Sequence, residues 1–502
     1  MPRPLLALVA ALALAVAAAA PAAAQSTPFP QVPQAVPSVD YAGKQVLQYR
    51  YGPVKLIPGA NSIEFDGIDL KPAVPGYITR FEPNLVRKDG SVPPVDELHL
   101  HHAVWLARNY PTFAAGEEKT IFQLPQGYGY RYDPSDPWLI NHMIHNLTPV
   151  AEEAYITWEI DFVPATAPGA QGMKEAKPLW LDVAGLKPYP VFDVKRQWGG
   201  EDGKYTFPQD AKGAERAKIG INARHRVDRP TTLIGTAGHL HPGGLTTDMF
   251  VSRGGDRRKV FTSEAKYWEP AGAVSWDVAM TASKPSWRLD LQAGDEIDIS
   301  ATYDTTKGSW YESMGIMITF YADGADGGGG TDPFTAPVET TGEITHGHLP
   351  ENDNHGGRRN AALPDPRRLL AGKRVKTVPV KGFVYSRGDL SLTGRRGLPP
   401  VVRPGQSITF RNDDSDKRPI YHTITACKAP CNRTTGVAYP LANGPVDFDS
   451  GELGFGSSFA TAAANRDTWR TPKTLRRGTY TYFCRVHPFM RGAFRVKGKA
   501  KR

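Results

Sequence analysis

Tyr155-Ile156-Thr157-Trp158-Glu159-Ile160-Asp161-Phe162 places apolar side chains at every second position: Ile156, Trp158, Ile160 and Phe162. Successive side chains of an extended chain point to opposite faces, so this spacing predicts a half-buried antiparallel strand. Leu289 to Ile299 repeats the pattern: Leu289 and Leu291 alternate, Ala293-Gly294-Asp295 turns, and Ile297 and Ile299 resume. Short runs of this kind between Gly, Pro and Asp turns continue from about Tyr41 to Tyr321 and again from Val375 nearly to the end. No long helical period interrupts them, and 50 Gly and 44 Pro in 502 residues suit a turn-rich, all-β protein.

A chain of this length exceeds a single core. Arg3, the apolar run Leu5 to Ala20 and Ala22-Ala23-Ala24 before Gln25 have the order of an export signal, which predicts a secreted or periplasmic protein. No later stretch is apolar enough to span a bilayer. The expected organisation is a signal peptide over 1–24 and a Pro-rich arm over 25–40. A first β-sandwich over 41–164 and a second over 175–321 follow, separated by the Ala/Pro/Gly-rich segment near Pro164 to Lys174. A linker over 322–372, opened by a flexible Gly-rich break, leads to a last sandwich over 373–498. The net charge of +9 comes from Lys and Arg scattered without interleaved aromatics, which argues against nucleic acid.

Thr479-Tyr480-Thr481-Tyr482-Phe483-Cys484-Arg485-Val486-His487-Pro488-Phe489-Met490-Arg491-Gly492 carries the most chemistry. A strand delivers a thiolate, and a tight loop delivers an imidazole and a thioether; His422, on another predicted strand, offers a second imidazole. Two His and one Cys with a weak axial Met form the ligand set of blue-copper electron-transfer sites. All three Cys lie in the last part of the chain, and in an exported protein Cys427 and Cys431 are expected to pair, leaving Cys484 as ligand.

This region, about Val375 to Val496, resembles the cupredoxin family, its loop being most similar to those of amicyanin and pseudoazurin-type proteins. Pro404-Gly405-Gln406-Ser407-Ile408-Thr409-Phe410-Arg411-Asn412 also resembles the strand before the family's first His ligand. The resemblance implies a Greek-key sandwich with type 1 copper on His422, Cys484, His487 and Met490. Phe483 and Arg485 flank the cysteine where multicopper oxidases and copper nitrite reductases have His ligands to a further site. A dinuclear mixed-valence centre would need both bridging cysteines within the ligand loop.

The remaining histidines cluster: His99-Leu100-His101-His102, His142-Met143-Ile144-His145 and His239-Leu240-His241. On a strand His239 and His241 share a face, so both can reach one metal, and Met314 can complete a site suited to copper. The order of these residues resembles the copper type II, ascorbate-dependent monooxygenases, the peptidylglycine and dopamine hydroxylating family. The likeness covers about Ile63 to Tyr321, and Gly127-Tyr128-Gly129-Tyr130-Arg131 adds to it. It implies two jelly-roll-like domains, an electron-accepting copper on His101, His102 and His145, and a catalytic, oxygen-binding copper on His239, His241 and Met314. His99 and His142 are expected as solvated residues or supporting hydrogen-bond partners.

This region departs from that family in having no Cys, and it has Ala237, Ile316 and Ile318 where peptide-hydroxylating members place substrate-binding groups. A small apolar substrate fits these residues better than a peptide. His346, His348 and His355, with Glu351 and Asp353, form a further polar cluster in the expected linker, either incidental or a metal-assisted clasp. The leading reading is an exported copper oxidoreductase. Its blue-copper domain takes electrons from a redox partner or reductant and relays them to a monooxygenase-like pair with up to two further coppers, acting on O2 and a small molecule. The alternative is a non-enzymatic electron-transfer or copper-handling protein.

Overall fold

The strand opened by Glu152 runs to Pro164 and is the spine of the first sandwich. The structure is a computed structural model, and it describes residues 34–185, 190–220, 223–268, 276–348, 365–391, 397–416, 418–429, 446–456 and 461–498. Ile156, Trp158, Ile160 and Phe162 are all buried in one core, as their alternation predicts. The outer face is covered too: Asp161 accepts hydrogen bonds from Ser38 and from Lys44 (3.3 Å). The Pro-rich arm therefore lies against this strand from Gln34 onward; the expected signal, 1–24, lies outside the described residues. No helix among the described residues is long and apolar enough to cross a membrane.

In the first sandwich one sheet runs Gln45–Leu56, Glu152–Pro164, Gly76–Arg87, Tyr128–Tyr132, Lys174–Glu175. The facing sheet runs Ile63–Gly67, Trp138–Asn146, Leu98–Ala107, Tyr110–Gly116. Between them Trp158 meets Trp105 edge-on with ring centroids 5.4 Å apart, and Phe81 stacks on Phe113 at 4.5 Å. Such close aromatic packing is the inward half of the period-two pattern from both sheets.

The second sandwich is built from one long sheet ordered Lys177–Asp182, Gly315–Asp323, Thr231–Leu240, Val278–Ala282, Asp256–Tyr267, Gly244–Arg253, Glu296–Asp304, Lys204–Phe207. Asp256–Tyr267 pairs with Gly244–Arg253 over most of its length and with Val278–Ala282 at its end. The sheet thus folds over on itself, and Leu233 and Met317 from one half share a core with Met249, Ile297 and Ile299 from the other. Leu289 and Leu291 join the same core, and Gly294 takes φ +97° in the intervening turn, a backbone region that suits glycine.

Several described residues of the segment expected as a linker are bonded to the second sandwich. Glu343–Ile344 pairs with Thr281 and Ala282 at the end of Val278–Ala282, Thr262 N–H donates to Thr340 O (2.7 Å), and Phe334 and Val338 pack on the second core. Ala35 N–H donates to Thr345 O (3.2 Å), so the arm and this strap hold each other. His355, Glu351 and Asp353 lie outside the described residues.

The last sandwich sets Thr377–Val380, Thr409–Asn412 and Thr468–Arg470 against a sheet of Val401–Val402, Arg491–Val496, Gly478–Phe483, Thr425–Lys428 and Phe448–Asp449. Cys427 is disulfide-bonded; Cys431 lies outside the described residues. The protein is all-β throughout, with sandwich-like sheets.

Trp158→Ala removes the ring shared by both sheets of the first sandwich and should cost about 3–5 kcal/mol. Urea denaturation followed by far-UV circular dichroism checks this, and a loss below about 1 kcal/mol would show that this core is not closed around it.

Candidate metal centres where three sandwiches meet

Gly478–Phe483 and Arg491–Val496 are hydrogen-bonded neighbours, with Phe483 opposite Arg491, so residues 484–490 form the loop between them. That loop is tight: Cys484 N–H donates to Met490 O (3.1 Å) and Met490 N–H to His487 O (2.9 Å). His422, just before Thr425–Lys428, is held by reciprocal backbone bonds with Leu453 (3.0 and 2.7 Å). Cys484 Sγ lies 3.9 Å from His422 Nδ1 and 3.7 Å from His487 Nδ1, and the two Nδ1 atoms are 3.1 Å apart. Backbone N–H groups of Thr423 (3.2 Å) and His487 (3.3 Å) point at the sulfur and fix its position between the rings.

All of these groups are buried, and Met490 shares the core cluster of Cys484. His422 Nε2 meets Asp414 Oδ2 at 2.9 Å, which turns Nδ1 inward. Burial works against a charge on His422, but Asp414 and Cys484 outweigh it and raise its pKa to about 9. Burial, with His422 beside it, holds His487 well below the ordinary histidine range. The structure thus brings His422, Cys484 and His487 together with a shared space between their donor atoms.

The residue after the cysteine fixes where this loop sits. Arg485 has no exposed surface; its Nε is 3.1 Å from Asp449 Oδ1, and its Nη2 donates to Ser309 O (2.5 Å) of the second sandwich. Its guanidinium lies 4.0 Å from the Trp310 ring, and Trp276 Nε1–H donates to Arg485 O (2.9 Å). The loop is therefore pressed against the second sandwich, and His487 lines a cavity of about 100 Å³ with His101, His102, His145, His241 and Met314.

Those histidines come from three strands. His99, His101 and His102 lie on Leu98–Ala107, His142 and His145 on Trp138–Asn146, and His239 on Thr231–Leu240 with His241 just beyond it. The register shifts between Leu100 and His102, leaving His101 without an opposite residue. A bulge of this kind re-aims a side chain. The His101 ring centroid is 4.3 Å from that of His145 and 4.2 Å from that of His241.

The six residues expected as two separate sites are regrouped by this geometry. His101 and His145, expected in one site, gather with His241, expected in the other. His102 stays beside them, its Nδ1 3.4 Å from His101 Nδ1 while its Nε2 meets Asn141 Oδ1 (3.2 Å), and His239, with its ring 5.1 Å from that of His241, turns Nδ1 to Glu118 Oε2 (3.0 Å). The cause is the docking of the first sandwich on the second, which brings Leu98–Ala107 over the end of Thr231–Leu240. Met314 lines the same cavity, and one hydroxyl ties it to His241: His241 N–H donates to Tyr303 Oη (3.2 Å), which donates to Met314 O (2.6 Å).

His99 takes the supporting role expected as one of its options. Its Nδ1–H donates to Val95 O (2.8 Å), and its ring stacks on Trp276 at 4.6 Å. His142 stays apart, against Tyr51 and Asp66. In the strap, His346 Nε2 reaches Glu118 O (2.7 Å), and His348 pairs with Asp277 (3.0 Å).

The cluster's chemistry fits a cation. Burial, reinforced by neighbouring imidazoles, holds His101, His145 and His241 well below the ordinary histidine range, so they stand neutral with lone pairs available. Both ring nitrogens of His145 and Nε2 of His241 are buried without a hydrogen-bond partner. Glu117 and Glu118, buried beside them, escaped the sequence reading because Gly116-Glu117-Glu118-Lys119 has the composition of a solvated turn. Trp276 and Arg485 escaped it too, since neither carries a motif.

No protein-family model matches the chain, and no curated protein does. Among solved structures, a Cu-containing nitrite reductase from Thermus scotoductus SA-01 is similar at 15% identity and a TM-score of 0.16 over 55% of this chain. The chain covers 59% of that enzyme's length. The major capsid protein P2 of bacteriophage PM2 aligns at 8% identity and a TM-score of 0.22, over 57% of this chain and 100% of the capsid protein. These likenesses are too slight to carry an argument.

Arg485→Ala leaves the Asp449 carboxylate buried without its cation, which should cost about 3–5 kcal/mol. Adding Asp449→Ala should recover part of that loss in a thermal-unfolding double-mutant cycle. Additive losses in the cycle would mean that the pair does not hold the interface.

Proposed function

We propose that the chain is an exported copper oxidoreductase in which a blue-copper centre on His422, Cys484, His487 and Met490 supplies electrons to a metal held by His101, His145 and His241. One observation carries this reading: His487 and the three imidazoles line the same cavity. A ligand ring of the electron-transfer site thus borders the space where a reactant would sit. Copper fits both donor sets, with thiolate and imidazoles in one and neutral imidazoles in the other. When bound there, the metals supply one-electron redox chemistry.

The residues around the cavity do the rest. At about 100 Å³ it holds only a few water-sized groups, taking about 30 Å³ per water. That size suits dioxygen and a very small organic molecule. Trp276, Trp310, Met143, Leu147 and Val486 make much of the wall apolar. Such a wall favours a small apolar substrate and excludes bulk water from the reaction. Hydroxylation would put one oxygen atom of O2 into a C–H bond and release the other as water, consuming two electrons and two protons. A reductant or soluble redox partner outside the cytoplasm would provide those electrons through the last sandwich.

The test is oxygen consumption in the presence of reductant, with copper counted per chain, for the parent and His241→Ala. The parent should bind more than one copper and consume oxygen faster than free copper does. His241→Ala should keep the blue absorption yet lose copper and at least about tenfold in rate. One copper per chain in both proteins, with no oxygen uptake, would leave a non-enzymatic electron carrier.

A further inference from the structure

The imidazole cluster has an acidic side that neither resemblance assigns. Glu117 and Glu118 are 4% and 2% exposed, and neither makes a salt bridge to Lys or Arg among the described residues. Both oxygens of Glu117 are buried without a hydrogen-bond partner, and so is Nε2 of His239. A buried carboxylate with no partner is costly, and Glu117 is one. A cation beside it would relieve that cost.

The donor atoms fall into two overlapping groups. One atom each from His101, Glu117 and His241 lie within 4.8 Å of one another, and so do one atom each from Glu117, Glu118 and His239. Glu117 belongs to both. Its carboxylate has two oxygens, enough for one to face each group.

Glu118 already organises the second group. Its Oε1 accepts from Gly116 N–H (2.9 Å), and its Oε2 meets His239 Nδ1 (3.0 Å). At that spacing one cation can take the place of the shared proton and bind both His239 Nδ1 and Glu118 Oε2. The packing is close: a Cβ at Gly116 would meet His239 Cε1 at 2.5 Å and Glu118 Oε2 at 2.6 Å. Only glycine lets this ring and carboxylate lie together here.

We propose that the buried cluster holds two metal ions, with Glu117 bridging a cation on His101, His145 and His241 and a second cation on His239 and Glu118. This rests on the three-imidazole centre proposed above and adds a second position beside it. The second site offers two carboxylates and one imidazole, a harder set than the first, suited to a divalent ion such as copper(II) or zinc(II). Two cations would offset both buried carboxylates. The bridge holds the ions close enough for their unpaired electrons to couple when both are copper(II).

The experiment reconstitutes the full chain with copper(II) alone, removes loose metal, and compares copper by elemental analysis with copper by integrated electron paramagnetic resonance. The parent should hold three ions per chain and show fewer spins than ions. Glu118→Gln and, separately, His239→Asn should each hold two, keep the blue absorption and restore agreement between spins and ions. Two variants of different chemistry guard against a folding defect in either. Two ions per chain in the parent would overturn the bridged pair while leaving the three-imidazole centre intact. One ion, the blue one, would overturn both. Three ions in the parent and in both variants would overturn the assignment of His239 and Glu118.

Discussion

A guanidinium with no access to water decides how this protein is assembled. Arg485 follows the cysteine of the 484–490 loop, pairs with buried Asp449 of its own sandwich and donates to Ser309 of the second. An ion pair in that setting is favourable only when its geometry is fixed and its remaining hydrogen-bonding capacity is met. Here Nε and Nη2 are bonded to Thr425, Asp449 and Ser309, and the guanidinium faces the Trp310 ring, while Nη1 is buried without a hydrogen-bond partner. His487 then borders the cavity, and Trp276, bonded to Arg485 O, stacks on His99. The contact is reinforced by Ser309 N–H to Asp449 (2.7 Å) and Tyr311 N–H to Glu452 (3.1 Å), which join the same two sandwiches.

The same junction buries an uncommon amount of polar chemistry. Imidazoles are tolerable there because they are neutral: burial and mutual repulsion keep His101, His145 and His241 uncharged. Burial and the neighbouring Glu118 likewise raise Glu117 well above the usual carboxylate range. A protein selected only for stability would fill such a space with apolar side chains. Here β-sandwiches supply rigid strands on three sides, and a bulge at His101 and a turn at Glu117 supply the departures from regularity that aim donors inward. Regular strands hold the framework, and the chemistry sits where they are interrupted.

The all-β fold was legible because its evidence is local. Ile156, Trp158, Ile160 and Phe162 carry their burial pattern in their own spacing, as do Leu289, Leu291, Ile297 and Ile299. Cys484, His487 and Met490 were readable for the same reason, being neighbours in sequence on one loop. What was not legible depends on pairs far apart in the chain. The gathering of His101 and His145 with His241 requires two sandwiches to dock, and no period or motif encodes a docking angle. Glu117 and Glu118 read as a solvated turn because only the second sandwich and the strap bury them. The strap itself reads as a linker because its bonds go to strands far upstream. An order of histidines along the chain does not say which of them share a space.

The central claim is that the blue centre and the imidazole cluster form one electron-transfer unit. Pulse reduction of the copper-loaded protein, followed by the return of the blue absorption, tests it most directly. The account predicts a first-order return, independent of protein concentration, that disappears in His101→Ala while the blue centre is retained. A return whose rate scales with protein concentration, or that is unchanged in His101→Ala, would contradict it.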